Sequence, residues 1–357
     1  MRGKIVQVEV DICGNFPIVE IVGLPSSEVK ESRDRIKIAI KNSGFIWPLK
    51  RILINLAPAD IKKQGAGFDL PIALAILSVT EQISAFSQPI LAVGELQLNG
   101  NVRPVLGALA MALSAIEQGI EHFVVHKDNA RECSITQRAH FFEITQLIDM
   151  QKQYTWQQSK DRDANGITQA EGFFSSPSLA DLSHCNALKR TIQIAAAGKH
   201  NVLFSGPPGT GKTAGAIRIP SLLPDLSFDD SLELSALYSQ NGFSLGARGL
   251  LTRRPVRIPH HTATVEGMVG SGASHSLGEI TLAHCGILLL DEAPEFKMKV
   301  LQALREPLDQ QYVTISRAGH KWDYPADFQL ILTTNLCPCG NLGKSQHSKE
   351  WCLCSET

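Results

Sequence analysis

The chain has 357 residues, 34 of them Lys or Arg and 35 Asp or Glu, for a formal net charge of −1. That balance excludes a global field drawing in nucleic acid or an acidic membrane, so any such contact must come from a local basic patch. Hydrophobic residues make up 43%, enough for packed cores, and the length exceeds one ordinary core, so two domains are expected. No run approaches the roughly 18–20 uninterrupted apolar residues of a membrane-spanning helix. The opening MRGKIVQVEVDICG alternates like a strand and has no apolar stretch of signal-peptide type, so the expected location is the cytoplasm. Cys13, Cys133, Cys185 and Cys285 stand alone, which argues against a disulfide framework.

Residues 1–148 alternate strand-like runs (VQVEVDI, PIVEIVGL, RILINLAP, ILAVGEL, HFVVH) with helical ones. SSEVKESRDRIKIAIKNSGF opens on a Ser cap with Glu28 close behind and spaces Val29, Ile36 and Ile40 for one face. Gly44 ends that helix. FDLPIALAILSVTEQI and VLGALAMALSAIEQGI read as buried helices. Residues 149–177 turn polar and read as a linker. In residues 178–357 the runs HNVLFSG, GILLLDE, YVTIS and FQLILTTN are strands separated by helical stretches, the pattern of an α/β layer fold.

HNVLFSGPPGTGKTAGA is an apolar strand, a glycine loop and a helix start, and it fits Gly-x-x-x-x-Gly-Lys-Thr. The backbone of Gly206, Pro207, Pro208, Gly209, Thr210, Gly211, Lys212 and Thr213 would close around phosphate oxygens. Lys212 would reach the β and γ phosphates, and the Thr213 hydroxyl would bind Mg2+. Without strand, Lys and Thr together this would be a chance glycine turn. About eighty residues on, GILLLDEAPEF delivers Asp291 and Glu292 from a buried strand. Asp291 would hold the cation through water, and Glu292 would orient or deprotonate the attacking water. Such a pair by itself is usually a solvated strand end. FQLILTTN ends on Asn335, whose amide either contacts the γ-phosphate or lytic water or merely turns the chain.

These three motifs resemble the AAA+ ATPase core of phosphate loop, acidic strand and sensor-one residue. The stretch RRPVRIPHHTATVEGMVGSGASHSLGEITLAHCGILLLDEAPEF is more specific and resembles the magnesium chelatase-like AAA+ proteins of the ComM/YifB type. VEIVGLPSSEVKESRDRIKIAIKNSGF and NLAPADIKKQGAGFDLPIAL carry the same likeness through the first half. The resemblance implies a Lon-protease-like α+β domain followed by a P-loop AAA+ α/β core with a parallel sheet. It also implies ATP and Mg2+ as cofactors, a hexameric ring of this chain, and DNA branch migration in natural transformation. A chelatase-type motor or a non-motor nucleotide-binding module is the competing class. YVTISRAGHKWDYP reads as a hairpin with Ala318-Gly319 at its tip and Arg317, His320 and Lys321 beside it. In related helicases the corresponding hairpin touches DNA phosphate; otherwise these are solvated charges on a turn. Arg253, Arg254 and Arg257 form a second basic run that meets DNA, a neighbouring subunit or only solvent. For His260-His261 a structural role is expected, because no further ligand sits at metal spacing.

Against a Lon-type dyad, Gly67 falls where the nucleophilic Ser is required and Leu109 where its Lys is, so the first domain is expected to be non-proteolytic, a scaffold or partner-binding unit. Cys337-x-Cys339 and Cys352-x-Cys354 frame a twelve-residue loop with Gly340, Gly343 and His347. Four thiolates in two short pairs can form one tetrahedral Zn2+ site, or remain free thiols. In the family the arginine finger and the sensor-two lid follow this cysteine insertion. The chain is therefore expected to be a truncated form lacking the helical lid, with nucleotide binding better founded than turnover.

Overall fold

The computed structural model describes residues 3–14, 16–136, 139–151, 156–158, 177–182, 186–243, 250–272, 276–317, 320–337, 339, 341–342, 352 and 354. Cys185, the hairpin tip Ala318-Gly319, the loop residues Gly340, Gly343 and His347, and the polar stretch 159–176 lie outside them. The chain divides into two compact units, one built mainly from the described residues up to 158 and the other mainly from those after 177.

In the first unit the elements are β1 (Gln7–Cys13), β2 (Val19–Val22), α1 (Ser27–Asn42), β3 (Arg51–Ala57), α2 (Asp69–Val79), β4 (Ile90–Val93), β5 (Glu95–Leu96), β6 (Val102–Arg103), α3 (Ala108–Glu117), β7 (His122–His126), α4 (Lys127–Cys133), β8 (His140–Ile144) and β9 (Gln157–Gln158). One sheet has the order β1-β3-β2, with β1 antiparallel and β2 parallel to β3. A second has the order β4-β7-β8-β9, parallel except for β9. Strand β3 buries Ile52, Ile54 and Leu56 and leaves the alternate residues less covered, the two-residue period of a half-buried strand. Helix α1 lays Val29, Ile36, Ala39 and Ile40 on the same core, and Ser26 caps it by accepting from the Val29 N–H at 3.3 Å. Helix α2 is buried almost all round, as its unbroken apolar run requires.

Two readings of the sequence change here. The described residues at the start of the stretch that composition assigns to a linker belong to the packed fold: β9 pairs with β8, and Trp156 packs on the main core. The run ILAVGEL is two strands rather than one: β4 pairs with β7 and β5 with β6, and they part at Gly94, where a Cβ would stand 2.8 Å from Val102 Cγ1.

The core also holds a charge. Asp69 at the start of α2 is fully buried; it accepts from Arg35 Nε at 2.6 Å, Arg35 Nη2 at 2.9 Å and the Leu96 N–H at 3.1 Å. Burial pushes the Asp69 carboxyl up, and the Arg35 guanidinium works against that.

The second unit comprises α5 (Asn186–Gly198), β10 (Val202–Ser205), α6 (Lys212–Ala216), α7 (Phe228–Gln240), β11 (Val256–Arg257), α8 (Val265–Val269), β12 (Gly270–Ser271), β13 (Ser276–Leu277), α9 (Glu279–Leu282), β14 (Ile287–Leu290), α10 (Met298–Ala303), α11 (Arg305–Gln310), β15 (Tyr312–Arg317), β16 (His320–Pro325) and β17 (Gln329–Thr334). Its main sheet has the order β10-β17-β14-β11, every neighbour parallel. Strand β14 is buried at all four positions, which is why it reads as an unbroken Ile-Leu-Leu-Leu. Because the strands run the same way, the residues that follow β10, β14 and β17 emerge at one edge, where parallel sheets of this kind present their ligand sites. No helix among the described residues is long and apolar enough to cross a membrane.

Replacing Arg35 by Met strands a buried carboxylate, so the full chain should lose about 3–5 kcal/mol in urea unfolding. A carboxyl whose folded-state pKa is raised is stabilising below its unfolded pKa and loses that as pH rises through the folded one. The penalty in Arg35→Met should therefore shrink as pH is lowered and Asp69 takes a proton.

Candidate nucleotide-binding site

Strand β10 ends at Ser205 and the chain turns through Gly206–Gly211 into α6. Gly209 (φ 79°) and Gly211 (φ 84°) take the left-handed conformation that a Cβ disfavours. The Gly206 N–H donates to Thr334 O at 3.3 Å, tying the loop to the end of β17, and Thr210 Oγ1 donates to Pro207 O at 2.8 Å. Lys212 Nζ folds back over the loop. It donates to Gly206 O at 2.7 Å, Pro207 O at 2.8 Å and Asn335 Oδ1 at 3.0 Å, so all three ammonium protons have partners.

The acidic strand meets the same place. Thr213 Oγ1 donates to Asp291 Oδ1 at 2.8 Å. Asp291 Oδ1 also accepts from Thr333 Oγ1 at 2.5 Å, and Thr333 Oγ1 accepts from the Glu292 N–H at 2.9 Å. Glu292 is exposed and stands at φ 54°, ψ 53°, a left-handed backbone uncommon outside glycine. Two direct hydrogen bonds thus link the glycine loop to the other two motifs, Lys212 to Asn335 and Thr213 to Asp291, with Glu292 one residue on. Thr333 is the residue the motifs do not announce. The signal available was the two-residue strand period, which puts Thr333 on the same side of FQLILTTN as Asn335.

Two of the three arginines in the basic run are engaged inside the unit. Arg254 donates to Pro224 O at 3.0 Å and to Cys285 O at 2.7 Å. Arg257 makes a bidentate pair with Glu279 at 2.6 and 2.8 Å, and Glu279 holds its guanidinium above the ordinary range. Arg253 is exposed. The His260 and His261 rings lie with centroids 4.0 Å apart, and His260 Nδ1 accepts from the Thr262 N–H at 3.3 Å. They join no metal-competent cluster among the described residues.

Strands β15 and β16 form the expected ribbon. Its register pairs Arg317 with His320 and Lys321 with Ser316, successive rungs that alternate faces, and Lys321 is exposed. A second, shorter hairpin, β12–β13, was not anticipated. It packs beside the first through Gly270 (φ 111°), where a Cβ would stand 2.9 Å from Ile315 Cδ1.

The four terminal cysteines converge. Sγ–Sγ distances are 3.4 Å for Cys337–Cys339, 3.6 Å for Cys339–Cys352 and 3.6 Å for Cys352–Cys337. With Cys354, all four sulfurs lie within 4.8 Å of one another. The Leu342 N–H, reinforced by the Cys339 and Cys352 thiols, brings the Cys337 thiol down to about 6.

The parallel sheet and its glycine loop define a P-loop α/β core. Residues 178–357 match the family model described as magnesium chelatase, subunit ChlI, and residues 8–129 match a second one, subunit ChlI of Mg-chelatase. The chain belongs to this magnesium chelatase-like family. It is 42% identical to YifB of Escherichia coli over 344 residues, covering 94% of this chain and 66% of that protein. It is 38% identical to the competence protein ComM of Haemophilus influenzae over 345 residues, 96% of this chain and 67% of that one. The chain thus spans about two thirds of the length of these relatives.

Proposed function

We propose that this chain binds ATP with Mg2+ and is the nucleotide-binding part of an AAA+ motor acting on DNA. The observation that carries the reading is the hydrogen-bonded set Lys212–Asn335 and Thr213–Asp291 at one sheet edge. An ammonium held over a glycine loop, with a hydroxyl and a carboxylate paired at the same sheet edge, fits a triphosphate and a hard divalent cation. The loop backbone from Gly206 to Thr213 would cradle the phosphates. Lys212 would move from the Gly206 and Pro207 carbonyls onto phosphate oxygens. Thr213 and Asp291 would hold the cation, Asn335 would contact the γ-phosphate or the water, and Glu292 would orient that water.

Turnover needs one thing more. In NTPases of this kind an arginine reaching the γ-phosphate is worth ~10³–10⁵ in rate, and in a hexameric ring it comes from the neighbouring subunit. Binding is therefore the first property to measure and hydrolysis the second. Kinship with a competence protein favours DNA as the partner, with Arg317, His320 and Lys321 of the ribbon as phosphate contacts in the cytoplasm. The family description favours a second reading, a chelatase-type ATPase subunit. Stimulation by partner subunits in place of DNA would select it. The first unit serves as a non-proteolytic scaffold: Gly67 offers no nucleophile, and Leu109, fully buried, no base.

The cysteine cluster is proposed as a structural Zn2+ site. A tetrahedron with Zn–S bonds of about 2.3 Å has sulfurs about 3.8 Å apart, close to the separations here. Zinc, when bound, would supply the cross-link that a loop too short for its own core lacks.

Three measurements follow from this reading. Lys212→Ala should weaken Mg-ATP binding by about 10- to 100-fold, the worth of a charge-assisted contact, while Glu292→Gln keeps binding and loses any turnover; equal affinity in Lys212→Ala would remove the site. The double variant Arg317→Ala, Lys321→Ala should lower the slope of log affinity for DNA against log salt by about 2, and an unchanged slope would remove the ribbon as a contact. Metal analysis of purified protein should find about one zinc per chain, lost in Cys352→Ser, as a four-thiolate site requires. Metal-free wild type would leave free thiols.

A further inference from the structure

We propose that Thr333 is a positioning residue of this site, a single buried hydroxyl that fixes Asp291 and Glu292 together. The proposal rests on the Mg-ATP reading above and adds a residue to it. Thr333 is 1% exposed. Its hydroxyl uses one donor and one acceptor function, donating to Asp291 Oδ1 at 2.5 Å and accepting from the Glu292 N–H at 2.9 Å. The placement follows from register. Leu290 of β14 pairs with Leu332 of β17, so the next rung sets Asp291 beside Thr333.

Two consequences arise from that bridge. Asp291 Oδ1 is held by two hydroxyls, Thr333 and Thr213, which leaves Oδ2 as the oxygen available to a cation's water. When Thr213 turns a lone pair to the cation, Thr333 still fixes the carboxylate plane. Glu292 stands in the left-handed region, which costs a residue with a Cβ about 1–2 kcal/mol, and its N–H is the group Thr333 accepts from. The hydroxyl thereby sets the direction in which the chain leaves β14, and with it the place from which the Glu292 carboxylate works. The β14–β17 ladder already joins the two strands from Ile287 to Leu290, so knitting the sheet does not need this hydroxyl.

The test is retention of ATP by the full chain as Mg2+ is titrated, in wild type, Thr333→Val and Thr333→Ser, with ATP binding in EDTA and thermal unfolding measured alongside. Thr333→Val should raise the Mg2+ concentration for half-maximal retention about tenfold, what one lost hydrogen bond to a charged group is worth, and leave binding in EDTA unchanged. Thr333→Ser, which restores the hydroxyl, should stay within about twofold. Thr333→Ala serves as the hydroxyl-free variant if valine does not fold. A hydroxyl-free variant whose Mg2+ curve superimposes on wild type, while Lys212→Ala loses retention, overturns the role of Thr333 and leaves the nucleotide site standing. Wild type that retains no ATP at any Mg2+ concentration overturns both.

Discussion

The site depends on where one ammonium group rests. Lys212 Nζ spends its three protons on two carbonyls of its own loop and on Asn335, a residue 123 positions away at the end of a different strand. Those bonds satisfy a charge that would otherwise lie unpaired beside a sheet edge, and they tie the loop to the residue that follows β17. A phosphate oxygen offers the ammonium a better partner than a carbonyl, since both ends of that bond carry charge. On the proposed reading, a bound triphosphate would exchange those carbonyls for phosphate oxygens.

That exchange is possible because the sheet has already solved the geometry. Three parallel strands end together, so a loop, a carboxylate and an amide that are far apart in sequence come within hydrogen-bond reach without any long side chain other than Lys212. The buried β14 fixes the height of Asp291, and the β17 ladder fixes Thr333 and Asn335 against it. Elsewhere in the unit, charges serve the fold. Arg254 satisfies the carbonyls of Pro224 and Cys285, and Arg257 is committed to Glu279. A basic run in the sequence thus becomes mostly internal wiring, with Arg253 left at the surface.

Much of this was legible in the residues. Alternation in RILINLAP and the unbroken apolar run of GILLLDE identified a half-buried and a fully buried strand, and the Ser cap placed the start of α1. The glycine loop and the acidic pair are readable because each is a fixed local order of residue types, Gly-x-x-x-x-Gly-Lys-Thr and an apolar strand ending in Asp-Glu. What escaped depends on tertiary register. The strand period puts Thr333 on the same side as Asn335, but its bonds to Asp291 and Glu292 exist only because Leu290 lies beside Leu332. Composition drew a linker from 149, whereas Trp156 and Gln157–Gln158 belong to the packed first unit: one aromatic ring on a core outweighs a polar neighbourhood. The cysteine pairs announce a cluster, and the fold brings their sulfurs within 4.8 Å of one another.

The account stands or falls on where a bound triphosphate would lie. A crystal structure of the full chain with Mg2+ and a non-hydrolysable ATP analogue measures that directly. The account predicts Lys212 Nζ on the β and γ phosphate oxygens, and a cation about 2.1 Å from Thr213 Oγ1 with Asp291 in its water shell. A nucleotide bound elsewhere, or a cation that leaves Thr213 still donating to Asp291 with no metal contact, would contradict it.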